Sequence, residues 1–175
     1  MENQKSSSKQ IMLNYGFILA VASILIAVLN FVFGNVYKPH WSISIISIMA
    51  TIAVIVLALQ ALKLNNGGYL SLGESLKTGL GIALISGIIY VLYNYAFTTI
   101  IEPDYFKNLA SVQEAAIIEA YPNMSDEQLE GALEMSQKFS GIGMISAIII
   151  IMSLFSGFIV SLIAGLIMKK TEEID

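Results

Sequence analysis

The chain has no cysteine, no arginine, a single histidine and three prolines. Without cysteine there are no disulfides, thiolate metal sites or thiol nucleophiles. Without arginine there is no planar fork for gripping phosphate or carboxylate. The formal net charge is −4, so nucleic acid is not an expected partner. Charge is scarce as well: 13% of residues are charged and 56% hydrophobic, against roughly 25% charged in soluble domains. With a mean hydropathy of +0.75, lipid is the solvent this composition suits.

Motifs of catalysis are missing too. There is no HExxH, no G-x-S-x-G, no phosphate-binding Walker loop and no dinucleotide fingerprint. Gly79-Leu80-Gly81 and Gly141-Ile142-Gly143 are lone fragments inside apolar helical patterns, where helix packing accounts for them. The reading is of a non-enzyme, with no cofactor and no metal expected.

What is present is four apolar runs. Residues 11–33 carry no charge over 23 positions, enough to cross the hydrocarbon core. A cleaved signal peptide competes for this run, but its apolar region would be only about 7–15 residues long. An uncleaved first span fits better. The second span covers 41–62, the third 76–101 and the fourth 142–168, none containing an aspartate, which excludes a two-aspartate intramembrane protease. The fold class is therefore an all-α membrane protein, a single four-helix domain over 1–175. Polar tails lie at 1–10 and 169–175, and a loop at 102–141.

Small residues recur along these spans at helical spacing. In the first span Gly16, Ala20, Ser23, Ala27, Asn30 and Gly34 form one seam. In the third, Gly79, Ala83 and Gly87 are four apart, and in the fourth Ser153, Gly157, Ser161 and Gly165 keep that spacing over three turns. Such stripes let helix backbones approach closely, so these residues are the expected packing faces.

Turn chemistry punctuates the spans. Pro39 breaks the first connection, and Tyr37, His40 and Trp41 suit headgroup depth. With no second histidine, His40 reads as an interfacial residue rather than a relay or ligand. Asn65-Asn66-Gly67-Gly68 is a tight turn suited to positive φ. Ser71-Leu72-Gly73-Glu74 fits a capping box, in which serine and glutamate satisfy each other's helix-end amides. Lys77 lies three residues on and can pair with Glu74 or reach the headgroups. Ser71, Glu74 and Lys77 are thus expected to act as a helix cap and membrane-edge anchor rather than as an intramembrane site.

The loop holds eight carboxylates against Lys107 and Lys138, a net of −6. Phe106, Leu109 and Val112, then Leu129, Leu133 and Phe139, recur with helical period. Two short amphipathic helices are expected, separated by Tyr121-Pro122-Asn123, the second opened by a capping box at Ser125 and Gln128. No calcium-loop pattern accompanies the acids, so they read as a solvated face.

Four spans place both termini on one side, with Lys5, Lys9, Lys63, Lys77, Lys169 and Lys170 there and Lys38, Lys107 and Lys138 opposite. Six lysines against three put the termini in the cytoplasm and turn the acidic loop outward. Asn30 and Asn94 then fall at nearly one depth, 19 residues past Ile11 and 17 past Lys77. Because an unpaired amide in lipid costs several kcal/mol, the two are expected to face each other or the bundle interior. Separate pairing to backbone carbonyls is the alternative.

Three pieces carry a family resemblance: Asn14-Tyr15-Gly16, the run from Gly67 to Gly79 (GGYLSLGESLKTG), and Glu102-Pro103-Asp104-Tyr105-Phe106. Through them the chain resembles the bacterial membrane proteins grouped as domain-of-unknown-function family 4199. That resemblance implies a small inner-membrane protein of four helices, and no reaction or ligand. The functional expectation is a non-enzymatic subunit, accessory or scaffold of a membrane assembly in the bacterial cytoplasmic membrane. Its partners would be the bilayer and a second copy or another membrane protein. A small-molecule carrier or pore working as an oligomer is the alternative.

Overall fold

The structure is a computed structural model describing residues 7–170, with Gln137 described by its backbone alone. The lead residues 1–6, which include Lys5, and the tail 171–175 lie outside the described residues. The order is α1 (Ser8–Phe33), α2 (Trp41–Asn65), α3 (Leu72–Ala96) continued by a π-helical turn (Phe97–Ile101), α4 (Tyr105–Ala120), α5 (Asp126–Phe139) and α6 (Ile142–Met168). Four of these, α1, α2, α3 with its π turn, and α6, are long and apolar enough to cross a membrane. No strand forms among the described residues; the one extended pairing is a bridge between Leu70 and Lys170.

The helix starts show why the spans begin earlier than hydropathy alone sets them. Ser7 accepts from the amide of Gln10 at 3.3 Å, so α1 opens at Ser8 rather than Ile11. At α3 the capping box is complete. The Ser71 hydroxyl accepts from the Glu74 amide at 3.2 Å, and Glu74 accepts from the Ser71 amide at 2.9 Å. The helix therefore starts at Leu72, a turn before the apolar run. Asn66 Nδ2 also donates to Glu74 at 3.1 Å, tying the preceding turn to the cap. That turn carries the only positive φ values among the described residues, 69° at Gly67 and 94° at Gly68, which glycine adopts without a Cβ clash. Lys77 is exposed, and no ion pair joins it to Glu74 among the described residues.

His40 has a structural job at the opposite end. Its Nδ1 accepts from the Ser42 amide at 3.4 Å and lies 2.9 Å from the Ser42 hydroxyl, capping α2. The end of α3 departs from α geometry. Thr98 Oγ1 donates to the Asn94 carbonyl at 2.9 Å and Thr99 Oγ1 to that of Tyr95 at 2.7 Å, competing for the ladder's acceptors. The Glu102 amide reaches back five residues to the Phe97 carbonyl at 2.8 Å, and Pro103 has no amide with which to continue. Single π turns of this kind recur at functional sites.

In the bundle α3 is central: it packs most extensively on α6 and α1, while α2 touches α1, α6 and α3. The stripes of α3 and α6 face each other. A Cβ built on Gly157 would collide with that of Ala83, and one on Gly165 would lie 2.7 Å from the Cβ of Ser75. On α1, Gly16 abuts Ile85 of α3, where an added Cβ would lie 2.8 Å from that side chain, and Ala20 is fully buried. These two long stripes are thus taken up inside one chain.

The packing is uneven along the bundle. The end holding the α2–α3 turn and the start of α1 is here named the terminal end, and the end holding α4 and α5 the loop end. On α2 the buried residues are Val54, Ile55, Ala58, Leu59 and Leu62, all in the half toward the terminal end. On α6 they are Gly157, Ser161, Ala164 and Gly165, in the corresponding half. Two contacts clamp this end: Lys63 Nζ donates to the Met168 carbonyl at 2.8 Å, and Leu70 and Lys170 exchange backbone hydrogen bonds of 2.9 and 3.0 Å. Toward the loop end neither α2 nor α6 has a buried residue.

Candidate functional site: a cavity at the loop end

In this half the four spanning helices line a partly open cavity of about 470 Å³, within the range of small-molecule pockets. Each spanning helix contributes a wall. From α1 come Ser23, Ala27 and Asn30, so the small-residue seam changes role along its length, from helix contact at Gly16 and Ala20 to cavity lining beyond. From α2 come Ser47 and Thr51; from α3, Ser86, Tyr90, Tyr93 and Asn94; from α6, Ser153 and Ser156. No lysine, aspartate, glutamate or histidine lines it.

Three of the lining hydroxyls are turned to the helix that carries them. Ser47 donates to the Ile43 carbonyl at 2.9 Å, Thr51 to that of Ser47 at 2.9 Å, and Ser86 to that of Ala83 at 3.1 Å. Their protons are used, so each offers the cavity oxygen lone pairs: acceptor capacity without charge. The two asparagines line the cavity from neighbouring helices, α1 and α3. Asn30 is 91% buried, and Asn94 Oδ1 is enclosed without a hydrogen-bond partner. Both amides thus border one cavity in the bundle interior, and no hydrogen bond joins them among the described residues. A buried amide oxygen left unpaired costs its desolvation, which makes Asn94 the site's unusual group.

An aromatic wall runs from the cavity to the loop end. Ring centroids are 5.7 Å apart for Tyr90 and Tyr93, 6.0 Å for Tyr93 and Phe97, and 5.8 Å for Phe97 and Tyr105. Tyr105 then stacks on Tyr37 at 5.5 Å. Tyr37, from the α1–α2 connection, donates its phenol to Glu102 Oε1 at 2.9 Å. Asn108 Nδ2 donates to the Tyr37 oxygen at 3.0 Å and to Glu102 Oε1 at 3.2 Å. This triad ties the first connection, the end of the π turn and α4 together next to Tyr105, which lines the cavity. Desolvation, with a smaller contribution from the Glu102 carboxylate, pushes the Tyr37 phenol above its ordinary value against the opposing pull of Asn108. Burial and then Tyr37 do the same for Tyr105. Both phenols therefore stay protonated at neutral pH.

The other sequence-selected residues lie elsewhere. Gly79, Gly157, Ser161 and Gly165 form the α3–α6 contact, Ala83 and Ser153 border both that contact and the cavity, and Gly87 meets Ile150 and Ser153 at 3.2 Å from an added Cβ. Ser71 and Glu74 make the cap. Sequence reading did not single out Tyr37, Glu102, Asn108 or the Tyr90, Tyr93, Phe97 wall as a site. The spacing of three and four in that wall was the available signal, and it reads equally as ordinary packing. Among the described residues no three acidic or histidine side chains come together to hold a metal ion.

No curated protein and no solved structure matches this chain. A family described as "Protein of unknown function (DUF4199)" matches residues 14–170, which include every helix but the first turns of α1 and all the residues that build the cavity. The chain belongs to that family.

Proposed function

We propose that this integral membrane protein is a non-enzymatic accessory or subunit of a membrane assembly, and that its working part is the loop-end cavity. The observation that carries the reading is the contrast between the two halves of the bundle. One half is packed to the point where glycine contacts leave no room for a methyl group. The other holds about 470 Å³ of cavity. A blind pocket binds; it does not conduct. The carrier or pore reading would need the packed half to open as well.

The lysine distribution supports an orientation with both termini inside and the cavity toward the outer face, and the family resemblance implies the bacterial cytoplasmic membrane as its location. In that orientation α4 and α5 lie outward, as amphipathic helices resting on the bundle or its headgroups, with their carboxylates in water. A second copy or a membrane-protein partner would dock away from the α3 and α6 stripes, which are occupied within the chain. The absence of arginine and the net negative charge argue against nucleic acid.

Reconstitution tests the binding reading against the pore. Proteoliposomes loaded with a small neutral solute and with potassium ions should leak no faster than protein-free vesicles. Leakage that rises with protein and is stopped by Ser86→Trp would replace the reading with a pore.

A further inference from the structure

We propose that the cavity binds a neutral, hydroxyl-bearing amphiphile that enters from the bilayer between α2 and α6; this rests on the binding reading above. Three observations converge on that class. The lining has no charged side chain, so neither a cation nor an anion finds a counter-charge in a low-dielectric site. Its polar groups are uncharged throughout: the Ser47, Thr51 and Ser86 oxygens with their protons donated to backbone carbonyls, further serine and tyrosine hydroxyls, and the amides of Asn30 and Asn94, the latter with Oδ1 unpartnered. A hydroxyl suits them, because it donates to the serine and threonine oxygens and both donates to and accepts from an amide. Asn94 borders the cavity with Oδ1 enclosed, and a half-turn of its amide exchanges Oδ1 and Nδ2, so a hydroxyl can meet either atom.

The route comes from the loop-end halves of α2 and α6, which hold no buried residue. The cavity walls on α2 (Ile43, Ser47, Thr51) and α6 (Ile149, Met152, Ser156) lie beyond the residues by which each helix is buried. Met152 is 55% exposed although it lines the cavity, so the wall runs out onto the lipid-facing surface. At the water side Val36, Pro39 and Tyr105 line the cavity, and Tyr105 is held by its stack on Tyr37. A head group would sit beside Asn30 and Asn94 against the tyrosine wall, with its apolar chain leaving between α2 and α6 into lipid.

The test uses the whole protein in phosphatidylcholine nanodiscs with a diazirine-bearing diacylglycerol as probe, and peptide mass spectrometry to map adducts. Adducts should concentrate on the cavity-lining peptides of α1 and α3, around Ala27–Asn30 and Tyr90–Phe97. Excess dioleoylglycerol should displace them and its O-methyl ether should not. Asn94→Leu should lower labelling of those peptides by several-fold to about tenfold, the loss expected for one hydrogen bond. The competition on the unaltered protein keeps the test independent of how that variant folds. Adducts spread evenly over the lipid-facing helices, or equal competition by the ether, would overturn the proposal. Equal competition by free glycerol would overturn the bilayer route in favour of an aqueous solute. Leak through proteoliposomes would sink the binding reading itself, whereas a leak-free protein that ignores diacylglycerol would sink this inference alone.

Discussion

Ser161 of α6 occupies the space where a side-chain carbon on Gly79 of α3 would have to go. The relation is reciprocal one turn along, where Gly157 of α6 receives Ala83 of α3. Lipid tails are as apolar as leucine, so helices in a bilayer gain chiefly from close packing, and this contact is the closest in the bundle. Gly79→Ala should destabilise by about 1–3 kcal/mol, because the obstruction is a Cβ near the backbone that no rotamer change removes. Gly131→Ala in α5 is the control: nothing lies within 4 Å of its added carbon. There the change should be neutral or stabilise by about 0.5–1 kcal/mol. Thermal unfolding in detergent reads both.

The cap of α3 gives a graded series. Ser71→Ala removes the hydroxyl that accepts from the Glu74 amide and should cost about 1 kcal/mol. Glu74→Gln keeps an acceptor for the Ser71 amide and should cost less, since glutamine also completes a capping box. Lys77→Ala, at an exposed position without an ion pair to Glu74, should stay within about 0.5 kcal/mol of the parent. Chemical or thermal unfolding of the three variants side by side checks the order.

At the loop end, Tyr37→Phe removes a donor to Glu102 and an acceptor from Asn108 together. The first turns of α4 should then exchange their amide hydrogens about fivefold faster, the effect of losing roughly 1 kcal/mol of net hydrogen bonding. The pH dependence has a definite sign. The folded protein holds the Tyr37 proton more tightly than the unfolded chain. Its contribution is therefore complete below the ordinary tyrosine value of about 10 and is lost as pH rises through the folded value. Protection of α4 measured from pH 7 to 9 should not respond to this group, and should decline in the parent above about pH 10.

Lys63→Met tests the clamp at the other end. Losing the donor to the Met168 carbonyl frees a helix-end acceptor, and the Leu70 and Lys170 amides, which pair with each other's carbonyls, should exchange faster. Methionine keeps the apolar stem, so a large fall in overall stability is not expected.

Much of this architecture was legible in the residues, and for a physical reason. Apolar runs that must satisfy every backbone group internally can only be helices in lipid, so the four spans follow from composition. The Ser71–Glu74 cap and the Gly67-Gly68 turn follow from local chemistry that no distant contact overrides. The cavity was not legible. Asn30 and Asn94 stood out as amides needing a setting, and their nearly equal depth could be counted, but the cavity they line depends on α2 and α6 losing their burial toward the loop end. Nothing in the α2 sequence marks where that happens: Ile43, Ser47 and Thr51 line the cavity, Ala58 and Leu62 pack, and both sets keep the same helical period. Likewise Tyr37, Glu102 and Asn108 lie 65 and 71 residues apart in pairs, a separation that no local pattern spans.

The account stands on one half of the bundle being open and the other closed, and α2 carries both on one face. Ser47 and Ala58 are eleven residues apart, about three helical turns and roughly 16 Å. Ser47 borders the cavity and Ala58 is fully buried. In a chain without native cysteine, Ser47→Cys and Ala58→Cys can be labelled separately with a small maleimide in mild detergent and compared with the denatured protein. The account expects Ser47→Cys to react many-fold faster than Ala58→Cys while the protein is folded, and at the same rate once it is denatured. Equal protection of both positions in the folded protein would contradict it.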